Sequence, residues 1–476
     1  MHAPTENRPR RETWFLGHST GLFTISLTEA WVGFAYYGML SLLTLYMTSY
    51  LLTGQHQGRI LLFGPFHAFL NGVYGPREGK ALASAITGLF SALAYGLPIV
   101  GGMLADKFLG RTRTIMLGAA FVTLGMFLMA YDRTFLIALG CVSIGMGCCG
   151  AIKAQVGGLY APGDNRRADG FQVFMLIFNM AVIVAPLVCG TLGEGYTWSW
   201  GFLAAGVGMA LGLTAYLVGM KTLPPEPRRV ARSEGGGPRR PALTMRERKS
   251  LILLGLLLPV LAVAALGNQE IFNGYMIWGK EYYQLRFFGR TMPVAWLMSL
   301  DAVISSIMMF LVLMFWRWYE KRRGNVAEIV KVAIGAGISA LAPLTLAAAS
   351  FLADQGHHKV GLVWGVAFHT VNDIGFSNIY AIGLSLYSRA APPRLGATVV
   401  NAFVLHIFLA NLMVGYLAGF LETMSAPAFW LLHAGLIAGA AVVLMICARL
   451  FHEFLAPRGD TASVNSAAEL QADGAV

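Results

Sequence analysis

Residues 101–118 read GGMLADKFLGRTRTIMLG, with Asp106, Lys107, Arg111 and Arg113 crowded between two long apolar runs. Such a density of charge is too costly for hydrocarbon, so the stretch marks a short aqueous turn and the runs beside it are spanning helices. Residues 315–335, FWRWYEKRRGNVAEIVKVAIG, place an acid, then basic residues and a glycine, at the matching point of the second half. In each turn the acid, Asp106 or Glu320, is expected to meet a helix N-terminus and a neighbouring arginine.

Working outward, twelve apolar runs lie near 22–50, 82–106, 113–131, 134–158, 170–194, 199–220, 250–278, 293–316, 327–352, 361–388, 397–421 and 427–451. Each approaches the roughly 20 residues a bilayer core requires. The 476 residues are 56% hydrophobic and only 12% charged, with mean hydropathy +0.60, which excludes a soluble globular or disordered protein. A β-barrel would instead alternate polar and apolar residues in short segments. All five cysteines fall in apolar runs, so they form neither a disulfide framework nor a metal site.

Charge placement predicts the orientation. With the N-terminus inside, 25 of the 35 Lys and Arg fall in cytoplasmic segments and eight outside, leaving Lys153 and Lys331 within spans. The net charge of +11 is therefore mainly a topology signal and does not call for nucleic acid. The expected fold class is an all-α membrane protein of twelve transmembrane helices in two six-helix bundles, both termini cytoplasmic. The expected domains are a cytoplasmic segment 1–21, bundles 22–220 and 250–452, a linker 221–249 rich in Pro, Gly and Arg, and a disordered tail 453–476. The polar N-terminus is expected to carry no cleavable signal, which suits a bacterial inner membrane.

The motifs resemble the major facilitator superfamily and, more narrowly, its proton-coupled oligopeptide transporter family. Glu29-Ala-Trp-Val-Gly-Phe34-Ala-Tyr36-Tyr37-Gly38-Met39 is similar to that family's ExxERFxYYGM element, and 101–111 to its GGxLADxxLGR turn. Tyr95, Lys153 in the fourth helix, Phe171 and Asn179 in the fifth, Lys331-Val-Ala-Ile-Gly335, and Ala391-Pro392-Pro393-Arg394-Leu-Gly396 extend the likeness over nearly the whole chain. The resemblance implies the major facilitator fold, repeated halves that rock against a substrate, and proton-driven uptake of di- or tripeptides.

The sequence departs from the pattern where the family carries charge. Val32 and Gly33 replace a glutamate and an arginine, Asn268 and Phe376 replace glutamates of the seventh and tenth helices, and Asp301 replaces an asparagine. Gly33 is expected to widen a pocket and remove a carboxylate clamp. These losses leave open a second cargo, a non-peptide amphiphilic or siderophore-like metabolite moved without protons.

Intramembrane charge needs a partner, water or neutralisation. Glu29 and Lys153 lie at similar expected depths, about 10 Å and about 8 Å from the cytoplasmic ends of their helices. They are predicted to pair as substrate contact or gate. Asn268, Asp301, Asn372 and Asp373 fall in one layer of the second half, where two close carboxylates would share a proton. The candidate substrate-binding set is Glu29, Tyr36, Tyr37, Tyr95, Lys153, Asn179, Asn268, Asp301 and Asn372, with Phe34 as a further wall residue. Glu29, Asp301 and Asp373 are the proton-coupling candidates, and Asp106 and Arg111 the cytoplasmic gate. Among the histidines, His369 and His406 are assigned to spans as lesser relay candidates. No ATP loop, no nucleophile with a base, no cofactor motif and no metal set is visible, so a transporter is expected rather than an enzyme. Its expected partners are a small solute, protons and the lipid bilayer, with the chain acting as a monomer.

Overall fold

The computed structural model describes residues 17–54, 56–161, 164, 166–226, 243–392 and 395–455. The tail beyond 455, the middle of the linker, the start of the N-terminal segment and Arg394 lie outside the described residues. The described chain is almost wholly helical, as lipid requires of a backbone that must satisfy its own polar groups.

In the first half come α1 (Thr20–Tyr46), α2 (Phe63–Tyr74), α3 (Gly79–Leu104), α4 (Arg111–Leu128), α5 (Phe135–Cys149), α6 (Ile152–Gly158), α7 (Arg166–Gly195) and α8 (Trp198–Val218). The second half holds α9 (Met245–Ala264), α10 (Leu266–Glu270), α11 (Gly274–Tyr282), α12 (Trp296–Arg323), α13 (Glu328–Ser339), α14 (Ala342–Gly356), α15 (Val363–Ser377), α16 (Gly383–Ala390), α17 (Gly396–Phe403), α18 (Leu405–Leu417), α19 (Ala426–Leu450) and α20 (His452–Leu455). Among the described residues nine helical stretches are long and apolar enough to cross a membrane. The remaining expected runs, near 113–131, 250–278 and 361–388, are occupied by α4 and by two interrupted helices, α9–α11 and α15–α16.

The segment between α1 and α3 contains α2, whose Phe69 and Val73 are exposed while Leu70 and Tyr74 are buried. Strands β1 (Arg286–Phe287) and β2 (Arg290–Thr291) form a small antiparallel hairpin. Its turn passes through Phe288 at φ 48° and Gly289 at φ 76°, the left-handed pair such a tight turn uses.

The chain clusters into two compact units. One comprises the described parts of Met1–Leu42, Gly58–Leu62 and Leu97–Val230; the other comprises those of Leu43–Gln57, Phe63–Gly96 and Ala231–Val476. Within the first, α4 and α5 meet through glycine. A Cβ on Gly145 would stand 2.5 Å from Val122 Cγ2 and 2.7 Å from the Gly118 carbonyl oxygen, so only glycine permits that approach.

Within the second unit, the Tyr46 end of α1 and the Gly79 end of α3 pack with the C-terminal helices. Thr44 shares a 2.9 Å hydroxyl bond with Thr87, and a Cβ on Gly88 would fall 2.5 Å from Gly415 Cα. Glu422 accepts the Lys80 backbone N–H at 2.7 Å, Lys80 pairs with Glu281, and Arg77 lies 4.8 Å over the Tyr416 ring.

Candidate functional site

In the first unit, Glu29 is buried on α1 while Lys153 is exposed on α6. The expected contact pair is not formed: among the described residues no ion pair within 4.0 Å joins them. Tyr36 is buried and Tyr37 half-buried, their rings edge to face with centroids 5.1 Å apart, and Tyr37 meets Phe178 at 6.2 Å. Phe34 is buried, 5.4 Å from Trp31. Asn179 is half-buried on α7.

Gly33 does not widen a pocket. A Cβ there would stand 2.8 Å from Phe178 Cε2, so the ring from α7 fills the volume that a larger side chain would need. The arginine missing from α1 has been replaced by an aromatic from a neighbouring helix, which sequence reading along α1 alone could not detect.

At the charged turn Asp106 is exposed and pairs with Arg111 Nε at 3.5 Å. It does not meet the start of α4, as the sequence reading expected. That role belongs to Glu226, at the beginning of the linker, whose carboxylate accepts N–H of Arg111 at 2.9 Å and of Thr112 at 2.7 Å. Partial burial pushes the Glu226 carboxyl upward. The Thr112 and Arg111 donors and the Arg111 charge outweigh that effect, and the group is held below its ordinary value. In the second turn Glu320 accepts Val326 N–H at 3.3 Å, in the turn before α13 rather than at the helix N-terminus that was expected. Its cationic partner is Lys331 at 2.6 Å rather than an arginine.

The second unit holds the denser chemistry. His369 and Asp373 stand four residues apart on α15 and so share one face. Opposite them is Asp301 on α12. His369 Nδ1 lies 2.9 Å from Asp301 Oδ1, and its Nε2 lies 2.9 Å from the Tyr275 hydroxyl, itself 3.2 Å from that of Tyr283. The pattern is satisfied when Tyr283 donates to Tyr275, Tyr275 donates to Nε2, and Nδ1–H donates to the carboxylate. Asn372 donates to Asp373 Oδ1 and accepts from Ser339, both at 3.3 Å. Asp373 is fully buried, and among the described residues its Oδ2 has no hydrogen-bond partner. Donor atoms of Asp301, His369 and Asp373 all lie within 4.8 Å of one another. The closeness of the two carboxylates was expected from the sequence; the third member, His369, was not.

Asn268 stands apart from this centre. Its carbonyl accepts from Gln269 at 2.7 Å, and Gln269 accepts from Asn411 of α18 at 2.8 Å, forming a neutral amide chain. Tyr95 and Phe376 flank the buried cluster Ala262, Ala265, Ile407 and Ala410, so the position expected to lack a glutamate is an apolar wall. His406 bonds the Phe403 carbonyl and stays off the acidic centre. Sequence reading placed only two histidines in spans; His433 of α19 is a third, fully buried and 2.9 Å from Glu270. The signal was present, since His433 lies inside the run 427–451.

The sequence profile of the POT family matches residues 112–231. A di-/tripeptide transporter of Lactococcus lactis subsp. cremoris is 30% identical over 392 residues, spanning 81% of this chain and 69% of that protein. The chain belongs to the POT family. A peptide transporter of Yersinia enterocolitica is 25% identical across 95% of this chain and 96% of its own length. A solved POT peptide transporter with bound sulfate superposes with a TM-score of 0.78 over 93% of this chain and 96% of that one, at 24% identity. A POT-family structure with 5-aminolevulinic acid gives 0.75 over 92% and 98%, at 21% identity. POT-family membership makes this protein a multi-pass membrane transporter rather than an enzyme, with the major facilitator fold.

Proposed function

We propose that the protein imports di- and tripeptides across a bacterial inner membrane by alternating access, driven by protons, as a single chain with both termini cytoplasmic. The peptide assignment rests on the Lactococcus relative, a di-/tripeptide transporter. Proton coupling rests on one observation: Asp301, His369 and Asp373 converge in the interior of the second unit, with Asp373 Oδ2 unpartnered. An incoming proton has a vacant oxygen at Asp373, and the Tyr283–Tyr275–His369–Asp301 chain fixes the neighbouring carboxylate. A proton is therefore the cation we assign to this centre. Glu29, with the Lys153 charge nearby, is the corresponding group of the first unit. Tyr36, Tyr37 and Asn179 in that unit, and Tyr95, Asn268 and Asn372 in the other, are the proposed uncharged contacts.

The test is pH-gradient-driven uptake of di- and tripeptides by purified protein in liposomes, with Lys153→Ala and Asp301→Asn beside wild type. Saturable, gradient-dependent uptake that Asp301→Asn abolishes supports the reading. A folded wild type that moves no peptide overturns the cargo assignment and directs the search to non-peptide solutes.

A further inference from the structure

The seventh membrane run is interrupted between α10 and α11, where Asn273 adopts φ −137° and ψ −100°. Thr44 of α1 donates to the Phe272 carbonyl at 3.3 Å, and Asn273 donates to the Ser84 carbonyl of α3 at 2.9 Å. The break is thus tied to the same ends of α1 and α3 that meet the C-terminal helices. Just before it lies Glu270, and facing Glu270 is His433 of α19; both are fully buried.

The hydrogen-bonding atoms around this pair set its proton count. His433 Nδ1 lies 2.9 Å from the Phe429 carbonyl oxygen, which can only accept, so Nδ1 carries a hydrogen. His433 Nε2 lies 2.9 Å from Glu270 Oε1, and Glu270 Oε2 accepts the Gly274 N–H at 2.9 Å. With Nδ1 protonated, a neutral imidazole presents a lone pair at Nε2. An ionised Glu270 would present another, and the contact would be repulsive. One further proton resolves it, on Nε2 as imidazolium with carboxylate or on Oε1 as carboxylic acid with neutral imidazole. Either way the pair is electrically neutral overall, as burial demands.

We propose that Glu270 and His433 form a second proton-binding site, distinct from the Asp301–His369–Asp373 centre, whose proton holds the α10–α11 break in its closed arrangement. The proposal rests on the proton-coupled transport reading above. With the proton bound, Glu270 anchors Gly274 across the break and α19 beside it, and the break keeps its bonds to Thr44 and Ser84. Without it, an unneutralised carboxylate faces a lone pair in an apolar site. The favourable response is to bring Glu270 toward water, which breaks the Gly274 anchor and loosens the ends of α1 and α3. Gly274 is required for this geometry, since a Cβ there would fall 2.5 Å from Glu270 Oε2.

Other titratable groups on the surrounding elements have their own partners. On α15, His369 is bonded to Asp301 and Asp373 to Asn372. On α14, Asp354 accepts from Tyr282, and in the turn after α18 Glu422 accepts from Lys80 N–H. On α13, Lys331 is paired with Glu320, and on α18 His406 bonds Phe403. On α9 the charges Arg246 to Lys249 stand at the opposite end of the helix. On α11, Lys280 bonds Ser49 and Glu281 pairs with Lys80. No described hydrogen bond or ion pair links any of these groups to Glu270 or His433.

The deciding variant is Glu270→Gln, whose amide can donate to His433 Nε2 and accept Gly274 N–H, reproducing the protonated pair without a releasable proton. In liposomes it is expected to retain peptide exchange while gradient-driven uptake falls about tenfold or more, the range of ordinary coupling free energies. The pH dependence of its exchange should flatten. Unchanged gradient-driven uptake in a folded Glu270→Gln protein overturns the proposal. If that variant does not fold, His433→Gln takes its place, and failure of both isosteric changes to fold also overturns it, because it assigns the pair to the break and not to the core. A wild type that moves no peptide sinks the function reading separately. The proton is then read from the wild-type-minus-Glu270→Gln infrared difference: a carboxyl or imidazole signal that changes with pH supports the site, and invariance of both rejects it.

Discussion

At the scale of single residues, the protein has moved its intramembrane charge rather than discarded it. The α1 arginine position is Gly33, the tenth-helix glutamate position is Phe376, and carboxylates instead converge as Asp301 and Asp373 around His369. Asp373→Asn removes an ionisable group and can still accept from Asn372. It should lower gradient-driven uptake about tenfold or more while exchange persists, measured side by side in liposomes. Gly33→Arg tests the other half of the exchange. Phe178 occupies the space, so restoring the arginine overpacks the α1–α7 contact by about 1–3 kcal/mol. Thermal unfolding of the purified single variant should fall, and Phe178→Ala in the same chain should recover much of the loss. Asp301 and Asp373 were legible as a layer because helical rise fixes depth. Asn268, grouped with them by depth, accepts its described hydrogen bond from Gln269 instead, because depth does not fix the azimuth about the helix axis. The hydroxyl chain through Tyr275 and Tyr283 had no signal in sequence spacing at all.

At the scale of elements, nine of the twelve expected apolar runs recur among the described residues as helical stretches long and apolar enough to span, and these were readable because bilayer thickness imposes one length on every spanning segment. Caps contributed from afar were not. Glu226 sits more than a hundred residues from the α4 N-terminus it satisfies, and only folding brings the start of the linker to Arg111 and Thr112. Its carboxyl is held below the ordinary value of 4.5, so the charged form is bound more strongly in the folded protein than in the unfolded chain. The resulting stability is present above that ordinary value and is lost as pH falls below it through the folded value. Glu226→Gln should therefore unfold more easily than wild type at neutral pH by about 0.5–1 kcal/mol, modest because the side chain is exposed. The gap should close in acid, a trend that denaturation of both proteins across a pH series would reveal or refute.

At the scale of the whole molecule, a transporter must open and close, and the second unit contains a closed contact that bears on this directly. The ends of α1 and α3 that cluster with the C-terminal helices do so through close backbone approach at Gly88 and Gly415, the Thr44–Thr87 bond, and the peptide groups of the α10–α11 break. These are small, short contacts, the kind that can part and re-form during a cycle without unfolding the helices. Repeated sequence halves foretold two bundles, yet compact clustering cuts through α1 and α3, because contacts made in one conformation are not encoded in the repeat. Gly88→Leu places a branched side chain where even a methyl group would lie 2.5 Å from Gly415 Cα, so this approach cannot be completed. The expected variant is well folded, since the helices can rest apart, but it is arrested with these ends separated. Peptide exchange should drop about tenfold or more, and a cysteine placed at Ser84 should become reactive to a membrane-impermeant thiol reagent. Gly72→Ala, on α2 with no heavy atom within 4 Å of its added Cβ, serves as the matched control. Transport by Gly88→Leu at the wild-type rate would mean that this seam stays closed throughout the cycle and that substrate passes elsewhere.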